Sequence, residues 1–252
     1  MKKFLLGAVA CSALAIASSS GARADLLYMG PVMMTGTGLG NVSTVLTLQS
    51  RGNSGIEDGQ VLWNGMKDII IDNVSGPGSV QTGQTQTVQI GTILTGSGGT
   101  EVIGVIFNPS EPGSDNMVTL NSLLLSIYNR NTGNEIFSSA YTGYGSDGYI
   151  GIPLNIDTTG DNGTGKSGYL FALDAQDTQK FLASLANNTI TEDDRIGISA
   201  RLTNAQGGQE TFWVGSQPAV PVPEPLSIAL FGTGLIGLAG ALRCGRQHPP
   251  AA

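Results

Sequence analysis

The chain has 252 residues, among them 37 glycines, and a formal net charge of −7. Its cysteines, Cys11 and Cys244, and its one histidine, His248, lie near the two ends. Residues 25–225 therefore contain no disulfide, thiol nucleophile or imidazole, which excludes Ser-His-Asp and Cys-His catalysis and cysteine or histidine metal sites from this span. The same span carries 7 Lys or Arg against 19 Asp or Glu. That excess of acids disfavours nucleic acid and anionic membrane surfaces as partners.

The first residues have the pattern of a secretory signal peptide over residues 1–24. Lys2-Lys3 is basic, Phe4–Ala17 is apolar, and Ala22-Arg23-Ala24 is a cleavage site of the A-x-A type. The pattern predicts that signal peptidase cuts after Ala24 and that the mature chain begins at Asp25.

Lipoprotein processing at Cys11 is the alternative for this end of the chain. It is disfavoured because Ala8 is a poor residue three positions before the cysteine, and because the apolar region would then be only seven residues long. Both interpretations predict export.

Short apolar alternation broken by turn residues runs through residues 25–216 and is typical of β-strands. The predicted strands are Val42–Leu48, Gln84–Leu94, Glu101–Phe107, Val118–Tyr128, Glu135–Tyr141, Tyr149–Ile156, Gly168–Leu173, Arg195–Thr203 and Glu210–Val214. In Tyr149–Ile156 we expect the four residues of one face to point inward, namely Ile150, Ile152, Leu154 and Ile156. Pro153, on the other face, predicts an edge position for that strand.

One helix is predicted, Ala175–Ala186, with Asp174 as its N-cap. Nine to eleven short strands and a single helix favour an all-β domain over residues 25–216. We expect an antiparallel β-sandwich of jelly-roll type.

A loop of oxygen-bearing residues is the candidate metal site. Asp157, Asp161 and Asn162 offer the hard oxygen ligands that calcium prefers. The spacing departs from the EF-hand pattern, because Gly168 stands where the bidentate Glu is required. A plain surface turn is therefore the favoured interpretation, and calcium remains the alternative. No other cofactor is predicted.

Two further patterns are interpreted as structural. Gly160–Ser167 matches the letters of a phosphate-binding loop, but it lacks the preceding parallel strand and the following helix of an α/β domain. Glu192-Asp193-Asp194 places carboxylates side by side on a turn, whereas glycoside hydrolysis requires two acids that face each other across a cleft.

Aromatic residues spaced by glycines make the candidate glycan contact. Tyr141, Tyr144 and Tyr149 fall within one Gly-rich loop, the kind of exposed aromatic surface that binds sugar rings. Core packing is the alternative for these aromatic side chains, and for Trp213, within a predicted strand, it is the favoured interpretation.

The tail of the chain has the features of a short membrane anchor. Residues 217–225 form a Pro-rich linker, and Leu226–Leu242 is a run of 17 residues without charge. As a helix this run is about 25 Å long, slightly short of a ~30 Å hydrocarbon core. Arg243 and Arg246, in a basic tail over residues 243–252, suit the cytoplasmic side. A buried helix of a soluble domain is the disfavoured alternative.

The motif Pro223-Glu224-Pro225, the Gly-rich apolar helix after it and the arginines Arg243 and Arg246 together resemble the PEP-CTERM protein-sorting signal. Gly245 and the long ending after Arg246 dilute the compact arginine cluster usual in that family. The resemblance covers about the last 25 residues. It implies a bacterial protein that an exosortase processes near the motif, in cells that make extracellular polysaccharide.

We therefore expect an exported protein that is held transiently in the inner membrane and then reaches the cell surface or the extracellular matrix. The expected role is structural or adhesive, not enzymatic, with extracellular polysaccharide as the partner. A carbohydrate-binding module, with or without calcium, is the first alternative. An enzyme that cleaves polysaccharide with carboxylates alone is the second.

Overall fold

The computed structural model describes residues 25–33, 42–50, 55–74, 79–94, 101–110, 117–159, 167–206 and 208–218. The chain divides into two compact units, residues 1–220 and 221–252, and the second lies outside the described residues. The predicted signal peptide, the apolar run Leu226–Leu242 and the sorting motif lie outside them as well. In the part of the chain that is described, no helix is long and apolar enough to cross a membrane.

The described residues form a β-rich domain with two short helices, which confirms the all-β prediction. The strands are β1 (Asp25–Met33), β2 (Val42–Leu48), β3 (Ile56–Trp63), β4 (Asp68–Asp72), β5 (Val88–Gln89), β6 (Glu101–Asn108), β7 (Met117–Tyr128), β8 (Glu135–Gly145), β9 (Gly148–Tyr149), β10 (Leu154–Asp157), β11 (Ser167–Leu173), β12 (Arg195–Thr203) and β13 (Glu210–Pro218). The helices are α1 (Ile90–Ile93) and α2 (Ala175–Ala186).

The strands belong to one curled, mixed sheet. Its main path runs β2-β13-β6-β11-β1-β8-β7-β12-β3-β4, while β5, β9 and β10 pair with strands of that path from outside it. Among the described strands, β1 and β8 pair in parallel and the other pairs are antiparallel. The expectation of a purely antiparallel sheet is corrected at this pair.

Residues 79–87, here called the seam segment, join the two ends of the sheet path. On one side the Gln81 N–H donates to the Thr47 carbonyl of β2 at 2.9 Å. On the other side the Asp72 carboxylate of β4 accepts from the Val80 N–H at 2.9 Å. The seam segment therefore satisfies backbone carbonyls that an open β2 edge would expose, while it contacts β4 through a side-chain carboxylate.

One hydrophobic core lies inside the curl and takes side chains from strands along the whole path. The rings of Phe107 in β6 and Phe212 in β13 stack at 4.7 Å between centroids. Phe181 of α2 is fully buried against this core. The inward face of β12 is the one predicted from alternation, since Ile196, Ile198, Ala200 and Leu202 are all buried.

Two predicted strands are wrong in part. Gln84–Leu94 contains only the two-residue β5 and then turns into α1. Tyr149–Ile156 is interrupted after Tyr149 and resumes as β10 at Leu154. Ile150 and Ile152 consequently lie outside the core, with exposed fractions of 48% and 45%.

Other elements agree with the sequence or extend it. The helix Ala175–Ala186 is confirmed, and the Asp174 side chain accepts from the Asp177 N–H at its start. Strand β13 runs to Pro218 and so includes the first two residues of the predicted linker. Strands β1, β3 and β4 were not predicted.

Candidate functional site

The predicted tyrosine loop is a β-hairpin, here called the tyrosine hairpin and defined as residues 141–152. Strand β8 turns through Ser146 and Asp147 into β9, which places Tyr144 opposite Tyr149. Their rings make an edge-to-face pair with centroids 5.2 Å apart. Tyr149 is 65% exposed, so the tip of the hairpin presents an aromatic ring to solvent.

The glycines of β8 make room for the returning strand. Gly143 has a φ of +94°, and a Cβ at this position would lie 2.6 Å from the Tyr149 Cε2 atom. A Cβ on Gly145 would lie 3.3 Å from the Ile150 Cδ1 atom. The side chains of Tyr149 and Ile150 therefore lie directly over bare backbone, which is the physical reason for the glycine spacing in this stretch.

Tyr141 is not part of the exposed surface, which corrects its place among the predicted glycan contacts. It is 4% exposed, its ring makes an edge-to-face contact with Phe171 at 5.3 Å, and its hydroxyl donates to the Gly151 carbonyl at 3.1 Å. Burial, assisted by neighbouring tyrosines, raises the pKa of Tyr141 to about 12. Its role is to fix the far side of the hairpin to the core.

Exposed aliphatic side chains continue the surface beyond Tyr149. Ile150 and Ile152 follow it in sequence and are each nearly half exposed. A flat ring beside exposed aliphatic groups offers apolar contact to the C–H faces of a sugar, while the tyrosine hydroxyls offer hydrogen bonds. The arrangement provides binding chemistry but no acid–base pair.

Of the three candidate calcium ligands, the structure describes only Asp157. The Asp157 carboxylate accepts from the Thr159 backbone N–H at 2.9 Å and from the Thr159 hydroxyl, and these bonds lower its pKa. Asp161 and Asn162 lie outside the described residues. Within the described ranges, no group of three or more His, Cys, Asp or Glu side chains is arranged to hold a metal ion.

The neighbouring acids at the start of β12 have different surroundings. Asp193 is exposed and forms an ion pair with Arg130. Asp194 is 1% exposed, so the acids of this turn are not all in solvent. Its carboxylate accepts from the backbone N–H groups of Arg130 and Thr191, each at 2.8 Å. These contacts make Asp194 a structural residue that joins the turn after β7 to the connection between α2 and β12.

The two tryptophans have defined partners. The Trp63 indole N–H donates to the Arg130 carbonyl at 2.8 Å, and the Arg195 guanidinium lies 4.6 Å from its ring centroid. The Trp213 indole N–H donates to the Thr44 hydroxyl at 2.9 Å. Both rings are partly buried, so neither is an open platform like Tyr149.

A polar cleft of about 510 Å³ was not predicted from the sequence. It opens between β2, β4 and the seam segment. Its lining residues are Thr44, Asp68, Ile70, Thr82, Gly83, Gln84, Thr85 and Gln86. The signal in the sequence is the run of Thr and Gln over residues 82–87, most of which falls in the predicted strand Gln84–Leu94. Hydroxyl, amide and carboxylate groups together suit a ligand rich in hydroxyls.

Comparison with protein-family models, with curated proteins and with solved structures finds no match to this chain.

Proposed function

We propose that this protein is exported, sorted through its C-terminal PEP-CTERM-like signal, and retained at the cell surface or in extracellular polysaccharide, where it has a structural or adhesive role. Support comes from the two ends of the sequence: a signal-peptide pattern before Asp25, and Pro223-Glu224-Pro225 followed by an apolar run and two arginines. The absence of Cys and His from residues 25–225 weighs against the common hydrolytic mechanisms.

The proposal extends to the fold. In this proposal, the two halves of the curled sheet form the facing layers of a jelly-roll-like sandwich. In support of this, residues from distant parts of the sheet path, among them Leu46 of β2 and Ile198 of β12, share one hydrophobic core.

The second candidate function is carbohydrate binding at the tyrosine hairpin, and the observation that favours it is the exposure of Tyr149. A tyrosine side chain at 65% exposure, beside two half-exposed isoleucines, leaves apolar surface in water. A sugar ring stacked on Tyr149 covers that surface. The partner is a neutral or hydroxyl-rich stretch of polysaccharide, since the acidic span from 25 to 225 repels polyanions.

The test is binding of the purified protein to the extracellular polysaccharide of its host, with Tyr149→Ala as the variant. The loss of an aromatic contact of about 0.5–1.5 kcal/mol predicts an affinity about 2- to 12-fold weaker. Met66→Ala is the matched control, because Met66 is 87% exposed on a different turn and its loss should leave binding unchanged.

Further arms of the same experiment separate the alternatives. Loss of binding in Gln86→Ala but not in Tyr149→Ala would move the site to the polar cleft. Loss of binding on chelation would establish the calcium-assisted form. Release of reducing sugar from the polysaccharide would replace the binding role by an enzymatic one. No binding, with normal matrix in a deletion strain, would contradict both candidate functions.

A further inference from the structure

Asp25, the first described residue, is held at the start of α2. Its backbone N lies 3.2 Å from the Asp174 Oδ2 atom, and its carbonyl accepts from the Asp174 N–H at 2.9 Å. Its own carboxylate accepts from the Thr142 hydroxyl of β8 at 2.5 Å. The backbone of residue 25 is therefore fixed on both sides, with its nitrogen facing a carboxylate.

The surroundings of this nitrogen are rich in carboxylates and poor in cations. Asp25 and Asp177 both lie close enough to act on Asp174, and burial together with these two acids raises the pKa of Asp174. Asp25 and Asp177 are 5% and 1% exposed. The one positive charge paired with this group in the described part of the chain is Lys180, whose Nζ lies 3.2 Å from the Asp177 Oδ1 atom. Within the described residues, Asp177 is therefore the one acid of the three that is paired with a cation.

We propose that cleavage after Ala24 supplies the missing positive charge, because the freed α-ammonium of Asp25 pairs with the Asp174 carboxylate and fastens the mature N-terminus to the cap of α2. The inference rests on the proposed export and adds a consequence of it: processing changes the stability of the folded domain. In the step itself, water adds across the Ala24–Asp25 peptide bond. The C–N bond breaks, Ala24 leaves as a carboxylate, and the Asp25 nitrogen takes up the protons that make it an ammonium.

The cap of α2 survives this change. Asp174 uses Oδ1 to accept from the Asp177 N–H, at 2.6 Å, and the other oxygen, Oδ2, faces Asp25. A positive charge at a helix N-terminus is opposed by the helix dipole. Here the three carboxylates outweigh that effect, since the ammonium lies against Asp174 Oδ2 instead of against the free N–H groups of the first turn.

The pH dependence of the added stability follows from the direction in which pairing shifts the pKa of the α-ammonium. Pairing with a carboxylate raises the pKa of the α-ammonium above its ordinary value of about 7.7–8.0. The added stability is fully present below that ordinary value, and it is lost as the pH rises through the raised pKa of the folded state.

The experiment compares two forms of the protein in the same detergent. One runs from Asp25 to Ala252 with a free amino terminus. The other carries Ala22-Arg23-Ala24 in front, with an acetylated end. Each is made with and without Asp174→Asn, which keeps the cap oxygen and removes the charge. We expect the free terminus to raise the melting temperature by about 2–4 °C in the Asp174 background only. The Asp25 amino group should titrate above pH ~8.

Asp157→Asn is the control, since it removes an exposed carboxylate at the end of β10 and should leave the difference between the two forms intact. An ordinary α-amino pKa, or an equal difference between the forms in D174N, would overturn the ion pair. The natural start of the exported protein, read by N-terminal sequencing, tests the processing separately. An exported protein whose first residue is not Asp25 would overturn the maturation step, whatever the melting temperatures of the four proteins show.

Discussion

Asp193 and Asp194 are adjacent in sequence, yet their carboxylates lie in opposite environments. Asp193 pairs with Arg130 in solvent, whereas Asp194 is buried and accepts from backbone N–H groups on both sides. From the sequence alone, both residues are predicted to be acids on the same polar turn. The difference arises because the turn after β7 packs onto this connection, a contact between residues more than sixty positions apart.

Replacement of Asp194 should therefore destabilise the domain far more than replacement of its neighbour. Asp194→Ala removes the buried carboxylate that accepts from the Arg130 and Thr191 N–H groups in part-buried hydrogen bonds, and we expect a loss of about 2–4 kcal/mol in the free energy of unfolding. Asp193→Ala removes an exposed ion pair and should cost less than about 1 kcal/mol. Urea unfolding of both variants measures the difference. Equal losses would show that the hydrogen bonds to Asp194 contribute no more to the free energy of unfolding than the Asp193 ion pair does.

The raised pKa of Tyr141 predicts a loss of stability in alkaline solution. Its pKa is raised to about 12 by burial, above the value of about 10 for a free tyrosine. The folded state therefore resists ionisation of this phenol, and stability should fall as the pH rises from about 10 through 12. Burial also raises the pKa values of Tyr28 and Tyr128. Ultraviolet titration of phenolate should therefore show more than one late-ionising tyrosine, and Tyr141→Phe should reduce the amplitude of the late step by one tyrosine. A late step of unchanged amplitude in Tyr141→Phe would contradict the assignment.

Whole strands and helices could be predicted from the sequence where the local pattern agrees with the burial seen in the structure. In β12 the apolar residues alternate and all face the core, and in α2 the cap Asp174 and the apolar stripe define one helix. Strand β3 was missed because Glu57 and Gly59 take inward positions beside Val61, so its inward face is not apolar in the sequence. Tyr149–Ile156 was extended too far because the alternation continues across a break in the strand.

The tyrosine hairpin gives a prediction at the level of the element. Gly143→Ala places a methyl group against the Tyr149 ring and also forces a φ of +94° on an alanine. We expect a loss of about 2–3 kcal/mol in the free energy of unfolding, together with displacement of Tyr149.

Gly151→Ala is the matched control, because Gly151 has a φ of +109° but open space around its Cβ position. It should cost about 1–2 kcal/mol for backbone strain alone. Chemical denaturation gives both losses, and tyrosine NMR shifts report on the ring. A Gly143→Ala variant no worse than the control would contradict the packing of Tyr149 over bare backbone.

At the scale of the molecule, the order of strands is the part that local pattern could not supply. Strand β1 lies between β11 and β8, and β13 lies between β2 and β6, so the first and last described strands are both paired on two sides. These pairings join residues far apart in the chain, and periodicity predicts faces but not neighbours. The closure of the sheet by residues 79–87 is of the same kind, and with it the polar cleft.

The positions of β1 and β13 bear on the proposed sorting. Asp25 begins β1 and Pro218 ends β13, so the proposed N-terminal cut falls directly before β1 and the proposed C-terminal cut falls a few residues after β13, both outside strands that are paired on two sides. Cuts after Ala24 and near Pro223–Pro225 would leave the whole sheet intact. The account therefore predicts a mature protein that consists of this domain with a short linker.

The measurement that tests this most directly is the intact mass of the protein recovered from the outer surface or the medium of its host, beside a Glu224→Ala variant. We predict a chain that begins at Asp25 and ends near Pro223–Pro225, and we predict that the variant is not cut at the C-terminal site. A wild-type mass that still includes Leu226–Ala252 would make the tail an ordinary anchor. It would also remove the support for processing by an exosortase and for the association with polysaccharide that is inferred from that processing.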